Sequence, residues 1–408
     1  MRIFIHTMYF LPEFGSAPIL MNELATYLAQ SGHEVEVVTT IPRPPFHRDY
    51  TGILLARERR GNYRVKRFLT NFTVHHIGRL VAWSIYTAMT IINLVTVRRG
   101  DILFLRLPPL QLGVTGILAR RLRGAKVLLN VQDVHPDLSI ESGLLRNPFA
   151  IRMARSFEKW IYKNTENIVV ISDGFKKNLE AKDVPPSKIT VIPNWVDTDF
   201  LKPFPKDNPV ARRFSLAQKF VVMYSGTISL SSYLALKKII EAAALLQSDP
   251  EILLAVVGEG LKRNDLKRTA ERLGVQNVVF LPFQPYGDLP ALLSSADVLL
   301  VPLDREKSQL SVPSKLYNCM AMDRPVLGLA HEDSEVYKII KETGCGICVP
   351  PEDVRKIADS VLALKNSEKF RRDMAANGRK FTLENFSREH VLKTYNNLLH
   401  SVSIQNRR

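Results

Sequence analysis

The chain reads as an α/β protein built from two doubly wound parallel-sheet domains, and three observations predict this. Its 408 residues exceed what one core ordinarily serves and suit two domains of about 150–200 residues, for which a hydrophobic content of 46% suffices. Short apolar runs alternate with helix-length segments in both halves, the pattern of βαβ units. A proline-rich stretch, Lys202-Pro203-Phe204-Pro205-Lys206-Asp207-Asn208-Pro209, separates the halves, and the strand pattern restarts beyond it.

Arg2 to Thr7 is a short apolar run ending in the loop Tyr9 to Ser16. A helix from Ile19 to Ser31 follows, stopped by Gly32, and then a strand from Glu34 to Thr40, so the sheet is parallel. Further strands are expected at Asp101 to Leu105, Lys126 to Val131, Ile168 to Ser172 and Lys188 to Ile192. The second half opens on Phe220 to Gly226 and continues with strands at Leu253 to Gly258, Val278 to Leu281, Val298 to Val301 and Pro325 to Leu329. Two such sheets leave a cleft between their carboxyl edges. The resulting domains are 1–202 and 210–384, with a last segment, 385–408, whose helix from Arg388 to Leu399 crosses back to the first domain.

The densest chemistry lies in Ser311 to Val326. Ser311 is placed to cap a helix with Pro313 in its first turn, leaving free N–H groups and the positive dipole end outward, and Lys315 adds a full charge there. Arg324-Pro325-Val326 then starts a buried strand, so the helix start falls at the carboxyl edge of the sheet. A capped core helix with a solvated lysine is the plain alternative. Gly226 and Thr227 offer a second close backbone approach, before Ser231 and Ser232 start a helix.

A net charge of +16 and a pI near 9.7 call for a polyanionic neighbour, whether nucleic acid, an anionic membrane or a phosphorylated substrate. No nucleic-acid reading motif accompanies the charge. Three cysteines, Cys319, Cys345 and Cys348, cannot pair evenly and no secretory signal is read, so a cytoplasmic setting is expected. The CxxC of Cys345 and Cys348 lies on a turn feeding a short strand, without the second pair that a zinc site needs.

Several segments in order resemble the retaining GT-B glycosyltransferases of family four, closest to the WbuB-like fucosaminyltransferase group of O-antigen and capsule polysaccharide synthesis. They are Phe10 to Ser16, Ser31 to Thr39, Arg106 to Leu110, Val131 to Asp137, Val191 to Asp197, Tyr224 to Thr227, Val257 to Gly260, Ala296 to Val298 and Ser311 to Val326. The resemblance spans nearly the whole chain. It implies the GT-B fold, with the two Rossmann-like domains facing across a cleft.

It also implies a retaining, metal-independent hexosyltransferase. Such an enzyme moves a sugar, an N-acetylated or deoxy hexose being one option, from a nucleotide-diphosphate donor, a UDP-sugar being expected, to a lipid-linked glycan. No cofactor or metal is expected. Lys315 would stabilise the departing diphosphate, with Ser314, Gly226, Thr227, Gly258, Gly260 and Asn318 around the donor and Gly15 and Ser16 against its phosphates or the acceptor. Asp133 would orient the acceptor hydroxyl and His135 would accept a proton, a structural role beside Pro136 being the alternative for the histidine. His33 reads as structural.

This chain departs from the family where two donor-flanking glutamates are replaced by Leu310 and Asn318, with Gln309 or Ser308 as substitutes toward the sugar hydroxyls. Gln132 stands where a histidine is common, and Leu230 near the place of a basic residue, which leaves Lys262 or Arg263 as helpers to Lys315.

Leu80 to Val97 is uncharged, yet a single crossing would separate the first strand from its sheet partners beyond Asp101. Interfacial docking is the expectation instead, with Trp83 and Tyr86 in the interface and the basic run Arg57, Arg59, Arg60, Arg64, Lys66 and Arg67 on anionic headgroups. The expected partners are thus a nucleotide sugar, a polyprenyl-diphosphate-linked acceptor and the inner face of the cell membrane, where the protein would be peripheral. Two other functions keep the same sheets: a nucleotide-sugar epimerase, which needs no lipid acceptor, and a non-catalytic sugar-nucleotide-binding protein.

Overall fold

A computed structural model describes residues 1–13, 15–43, 48–50, 52–70, 76–141, 143–228, 232–304 and 314–404, with the side chains of residues 48, 76, 77 and 79 left out. The chain forms two units, Met1–Asn194 with Val391–Arg408, and Trp195–His390.

The first unit holds eight strands: β1 (Arg2–His6), β2 (Glu34–Thr40), β3 (Leu55–Arg60), β4 (Tyr63–Phe68), β5 (Ile102–Leu107), β6 (Lys126–Val131), β7 (Asn167–Val170) and β8 (Ile189–Val191). Their order across the sheet is β3-β4-β2-β1-β5-β6-β7-β8, parallel throughout except for the β3–β4 hairpin. β5 is buried at every position, as a central parallel strand covered on both faces must be. Helices Ser16–Gln30, His76–Ile92, Leu112–Arg123 and Pro148–Lys163 belong to this unit. Tyr395 of the Arg388–Ile404 helix packs its ring edge-on to Phe104, centroids 5.8 Å apart, and accepts a hydrogen bond from Asn130.

The second unit is a wholly parallel sheet of β9 (Phe220–Ser225), β10 (Ile252–Val257), β11 (Val278–Leu281), β12 (Val298–Pro302), β13 (Val326–Leu329) and β14 (Gly346–Val349), in the order β11-β10-β9-β12-β13-β14. The proline-rich stretch read as a linker is docked on this unit. Lys206 pairs with Asp297 at 2.6 Å, and the Asn208 amide donates to the Ala291 carbonyl at 3.0 Å.

Half of the basic run in β3 and β4 is ion-paired within the fold, which corrects in part the expectation of an open cationic cluster, Arg57 and Arg59 remaining exposed. Arg67 is fully buried and pairs with Glu58 at 2.5 Å, Arg60 with the same carboxylate at 3.3 Å, and Arg64 with Glu34 and Glu36. Strand alternation is the reason: residues two apart share a face, and the hairpin turns half of the basic residues toward acidic neighbours. Trp83 and Tyr86, expected at a membrane interface, are buried, and the Tyr86 hydroxyl donates to the Val38 carbonyl at 2.6 Å. No helix among the described residues is long and apolar enough to cross a membrane.

His6, closing β1, is fully buried with neither ring nitrogen hydrogen-bonded among the described residues, and burial aided by the Lys66 charge lowers its pKa to about 3. The unfolded chain takes up this proton near the ordinary 6.5, the folded chain only near 3. Stability present above pH 6.5 is therefore lost as pH falls toward 3, at up to about 1.4 kcal/mol per pH unit. His6→Leu is expected to remove this slope, so that urea unfolding at pH 7 and pH 5 shows the wild type losing about 2 kcal/mol more than the variant. Equal losses would mean that His6 is protonated in the fold.

Candidate active site

In the second unit, the loops after β9 and β10 run side by side at the carboxyl edge of the sheet. The Gly226 N–H donates to the Val257 carbonyl at 3.0 Å, and the Ile228 N–H to the Glu259 carbonyl at 2.9 Å. The approach is too close for side chains: a Cβ on Gly258 would lie 2.0 Å from the Gly226 oxygen, and one on Gly260 2.2 Å from the Ile228 oxygen. Both glycines have positive φ, 140° and 159°.

Lys315 reaches this pair of loops. Its Nζ donates to the Tyr224 hydroxyl at 2.8 Å and lies 4.1 Å from that ring's centroid, and a Cβ on Gly226 would come within 3.1 Å of it. The Tyr224 hydroxyl in turn donates to the Thr227 carbonyl at 2.6 Å. A buried phenol thus fixes an ammonium group against glycine backbone, an arrangement suited to gripping an anion. Gly226, Thr227, Gly258, Gly260 and Lys315 are brought together here as one loop cluster.

Ser311 and Pro313 lie outside the described residues, as do Leu230, Ser231, Ser308, Gln309 and Leu310. The described helix is Lys315–Ala321, flanked by Ser314, whose side chain makes no capping bond. Asn318, one turn along, is half-buried, and its side-chain amide has no hydrogen-bond partner among the described residues. Lys262 and Arg263 are already engaged: Lys262 pairs with Asp265 at 3.1 Å, and Arg263 donates to the Gly258 carbonyl at 3.1 Å. Arg263 therefore braces the glycine loop. Burial raises the thiols of Cys319 and Cys348 to about 12 and that of Cys345 to about 11. These are inert thiols at neutral pH.

Sequence reasoning missed Asp304, which follows β12. Its carboxylate accepts from the N–H groups of Leu234 and Ala235, at 3.1 and 2.8 Å, and so caps the helix Tyr233–Leu245. The start expected of Ser231 and Ser232 is thereby satisfied by a residue about seventy positions away, and no local signal marks it.

In the first unit, Gly15 (φ 140°) precedes the helix Ser16–Gln30, whose start has no side-chain cap and no acidic residue in its first turn. Gly15 and Ser16 are both exposed there. Asp133, just beyond β6, is half-buried, and its carboxylate makes no hydrogen bond or ion pair among the described residues. His135 has different surroundings. Its Nδ1 lies 3.0 Å from the Ser139 hydroxyl and its ring meets Trp83 edge-on at 5.7 Å, on the wall of an apolar cavity of about 320 Å³ that Leu80, Leu110, Leu145 and Phe157 also line. His33 bonds Asn396 at 2.8 Å, a structural contact. Among the described residues no three His, Cys, Asp or Glu side chains gather as a metal site would need.

Comparison with known proteins follows the same division. Residues 18–195 match the family described as "Glycosyl transferase 4-like domain" and residues 212–381 that described as "Glycosyl transferases group 1". The chain is similar to the putative colanic acid biosynthesis glycosyl transferase WcaI of Escherichia coli K12, 26% identical over 381 residues, covering 88% of this chain and 91% of that protein. It is also similar to the probable glycosyltransferase WbjE of Pseudomonas aeruginosa, 29% identical, covering 65% and 67%. Among solved structures, Anabaena HepE in complex with UDP superposes with a TM-score of 0.74 at 16% identity, over 98% of this chain and 100% of that one.

Proposed function

Because this chain is a GT-B glycosyltransferase of the group 1 and 4-like type, we propose that it is a retaining, metal-independent transferase of cell-surface polysaccharide synthesis. It moves a sugar from a UDP-sugar to a polyprenyl-diphosphate-linked glycan, in the WbuB-like manner of O-antigen and capsule assembly. The observation that carries the donor half of this reading is the Lys315 ammonium fixed by Tyr224 against the glycine loops. Breaking a glycosyl–phosphate bond builds negative charge on the departing diphosphate, and a preplaced cation stabilises it without a metal ion. The complex of HepE with UDP supports the donor, and the similarity to WcaI, a putative glycosyl transferase of colanic acid biosynthesis, supports the pathway class. On the acceptor side, the unpaired Asp133 carboxylate is suited to accept from the attacking hydroxyl.

The test is a panel of nucleotide sugars with a short prenyl-diphosphate glycan acceptor, with and without EDTA, followed by determination of the anomeric configuration of the product. Transfer with retained configuration that survives chelation is expected. A product of inverted configuration, or transfer restored only by magnesium or manganese, would overturn the corresponding clause. Hydroxyl inversion on the nucleotide sugar without any acceptor would instead support an epimerase.

The acceptor lipid calls for peripheral contact with the inner membrane face, and the helix Pro148–Lys163 suits it better than the basic run of β3 and β4. Phe149, Met153 and Trp160 are exposed along one stripe, beside Arg152, Arg155 and Lys163, which have no ion pairs among the described residues. Apolar side chains edged by unpaired cations match an anionic bilayer surface. Phe149→Asp with Met153→Asp is expected to abolish flotation with phosphatidylglycerol vesicles at every salt concentration. Arg152→Gln with Arg155→Gln should weaken it about thirtyfold and make the remainder less salt-sensitive, at about 1 kcal/mol per basic residue. Undiminished flotation of the Asp pair would exclude this face.

A further inference from the structure

Arg106, at the carboxyl end of β5, is 8% exposed, yet no described carboxylate pairs with its guanidinium, and its Nε has no hydrogen-bond partner. The titratable groups around it are Asp133, Tyr9 and Tyr395, none of them bonded to it. Asp133 is the full counter-charge that acts on Arg106, yet it makes no ion pair with it among the described residues, and a buried guanidinium nitrogen without a hydrogen bond is costly unless a further acceptor meets it.

A second unmet group lies in the same polar cluster. Arg106 is the register partner of Asn130 on β6, and from Asn130 a chain of buried amides runs outward. The Asn130 Nδ2 donates to the Tyr395 hydroxyl at 2.9 Å, Gln132 Nε2 to Asn130 Oδ1 at 2.8 Å, and Asn194 Nδ2 to Gln132 Oε1 at 2.9 Å. Each amide orients the next, so the chain ends on Asn194 Oδ1, a buried acceptor with no donor among the described residues. The cluster therefore combines an unpaired cationic donor with an unpaired neutral acceptor, at the sheet edge where open α/β domains bind ligands. Those are the complements of a phosphate oxygen and a sugar hydroxyl.

We propose that Arg106 and Asn194 form a subsite for a phosphorylated sugar, its phosphate oxygen on the Arg106 guanidinium and one of its hydroxyls donating to Asn194 Oδ1. The inference deepens the glycosyltransferase reading and rests on it only for the source of that group, which is the diphosphate-linked sugar of the acceptor or the sugar phosphate of the donor. Asp133 beside Arg106 disfavours a bare anion of high charge, so the sugar ring contributes to recognition.

The experiment uses the full chain and Arg106→Gln, with glucose 1-phosphate, inorganic phosphate and UDP as probes, read by calorimetric binding and thermal melting. Glucose 1-phosphate is expected to bind the wild type at least tenfold more tightly than Arg106→Gln and more tightly than inorganic phosphate. The unliganded variant should melt close to the wild type, because Arg106 makes no hydrogen bond or ion pair among the described residues and only the attraction of Asp133 is lost. Arg106→Lys, which keeps the charge but not the planar fork, carries the comparison should the glutamine variant fail to fold, and it should show an intermediate loss.

The two sources separate cleanly. A raised KM for the prenyl-diphosphate acceptor with unchanged UDP-sugar binding assigns the subsite to the acceptor, and the converse assigns it to the donor. Equal binding of glucose 1-phosphate by wild type and variant, or no binding by the wild type, overturns the proposal. Because these probes need no turnover, a protein that transferred no sugar would sink the glycosyltransferase reading while leaving this result to stand or fall separately.

Discussion

Lys315→Ala is expected to lower kcat/KM for the nucleotide sugar about 10²–10³-fold, the usual cost of removing one preplaced donor from developing negative charge. The same substitution should weaken UDP binding strongly and leave uridine binding almost unchanged, since Nζ is held at the loop cluster by the Tyr224 hydroxyl. Lys315→Arg should not rescue. A planar guanidinium, with its charge spread over a fork, does not reproduce the point charge that the Tyr224 hydroxyl anchors at 2.8 Å. Tyr224→Phe should give a milder form of the same defect, because the ammonium loses its 2.8 Å anchor but not its charge. Isothermal titration with UDP and uridine, beside steady-state kinetics, reads all three. An equal loss for uridine and UDP would remove Lys315 from the diphosphate.

Gly258→Ala should be strongly destabilising, at about 3 kcal/mol or more. Its Cβ would lie 2.0 Å from the Gly226 carbonyl oxygen, backbone against backbone, and its φ of 140° is one that alanine resists. Either the two loops part or the strand ends shift, and both outcomes displace the surface under Lys315. A fall of roughly 6–12 °C in the melting temperature follows for a domain of this size. Gly287→Ala is the matched control, since nothing lies within 4 Å of its Cβ and its φ is ordinary; it should melt like the wild type. Near-normal melting of Gly258→Ala would show that the loops are not packed backbone to backbone.

Much of this protein is legible along the chain itself. β2, β6 and β11 have the limits their apolar runs predict, and β9, β10, β12 and β13 differ by a residue or two at the ends. Parallel strands buried on both faces are continuous apolar runs, a signal contained wholly within each segment. The glycines of the second unit are legible for a related reason, because Gly226, Gly258 and Gly260 close strands at the sheet edge where backbone must approach backbone.

What the sequence alone could not decide is which residue meets which across the fold. The basic residues of β3 and β4 look like a surface cluster along the chain, but hairpin pairing buries Arg67 against Glu58. Trp83 and Tyr86 look interfacial, but the amphipathic His76–Ile92 helix turns that face inward. Arg106 lies in a short apolar strand like any other, and only the arrangement of β6, Asn194 and the Arg388–Ile404 helix reveals that it is buried with no ion pair among the described residues. Asp304 caps a helix about seventy residues earlier in the chain. Periodicity reports whether a residue faces inward or outward on its own element. The partner it finds there is set by contacts between residues far apart in sequence, which come into being only when the chain closes its sheets.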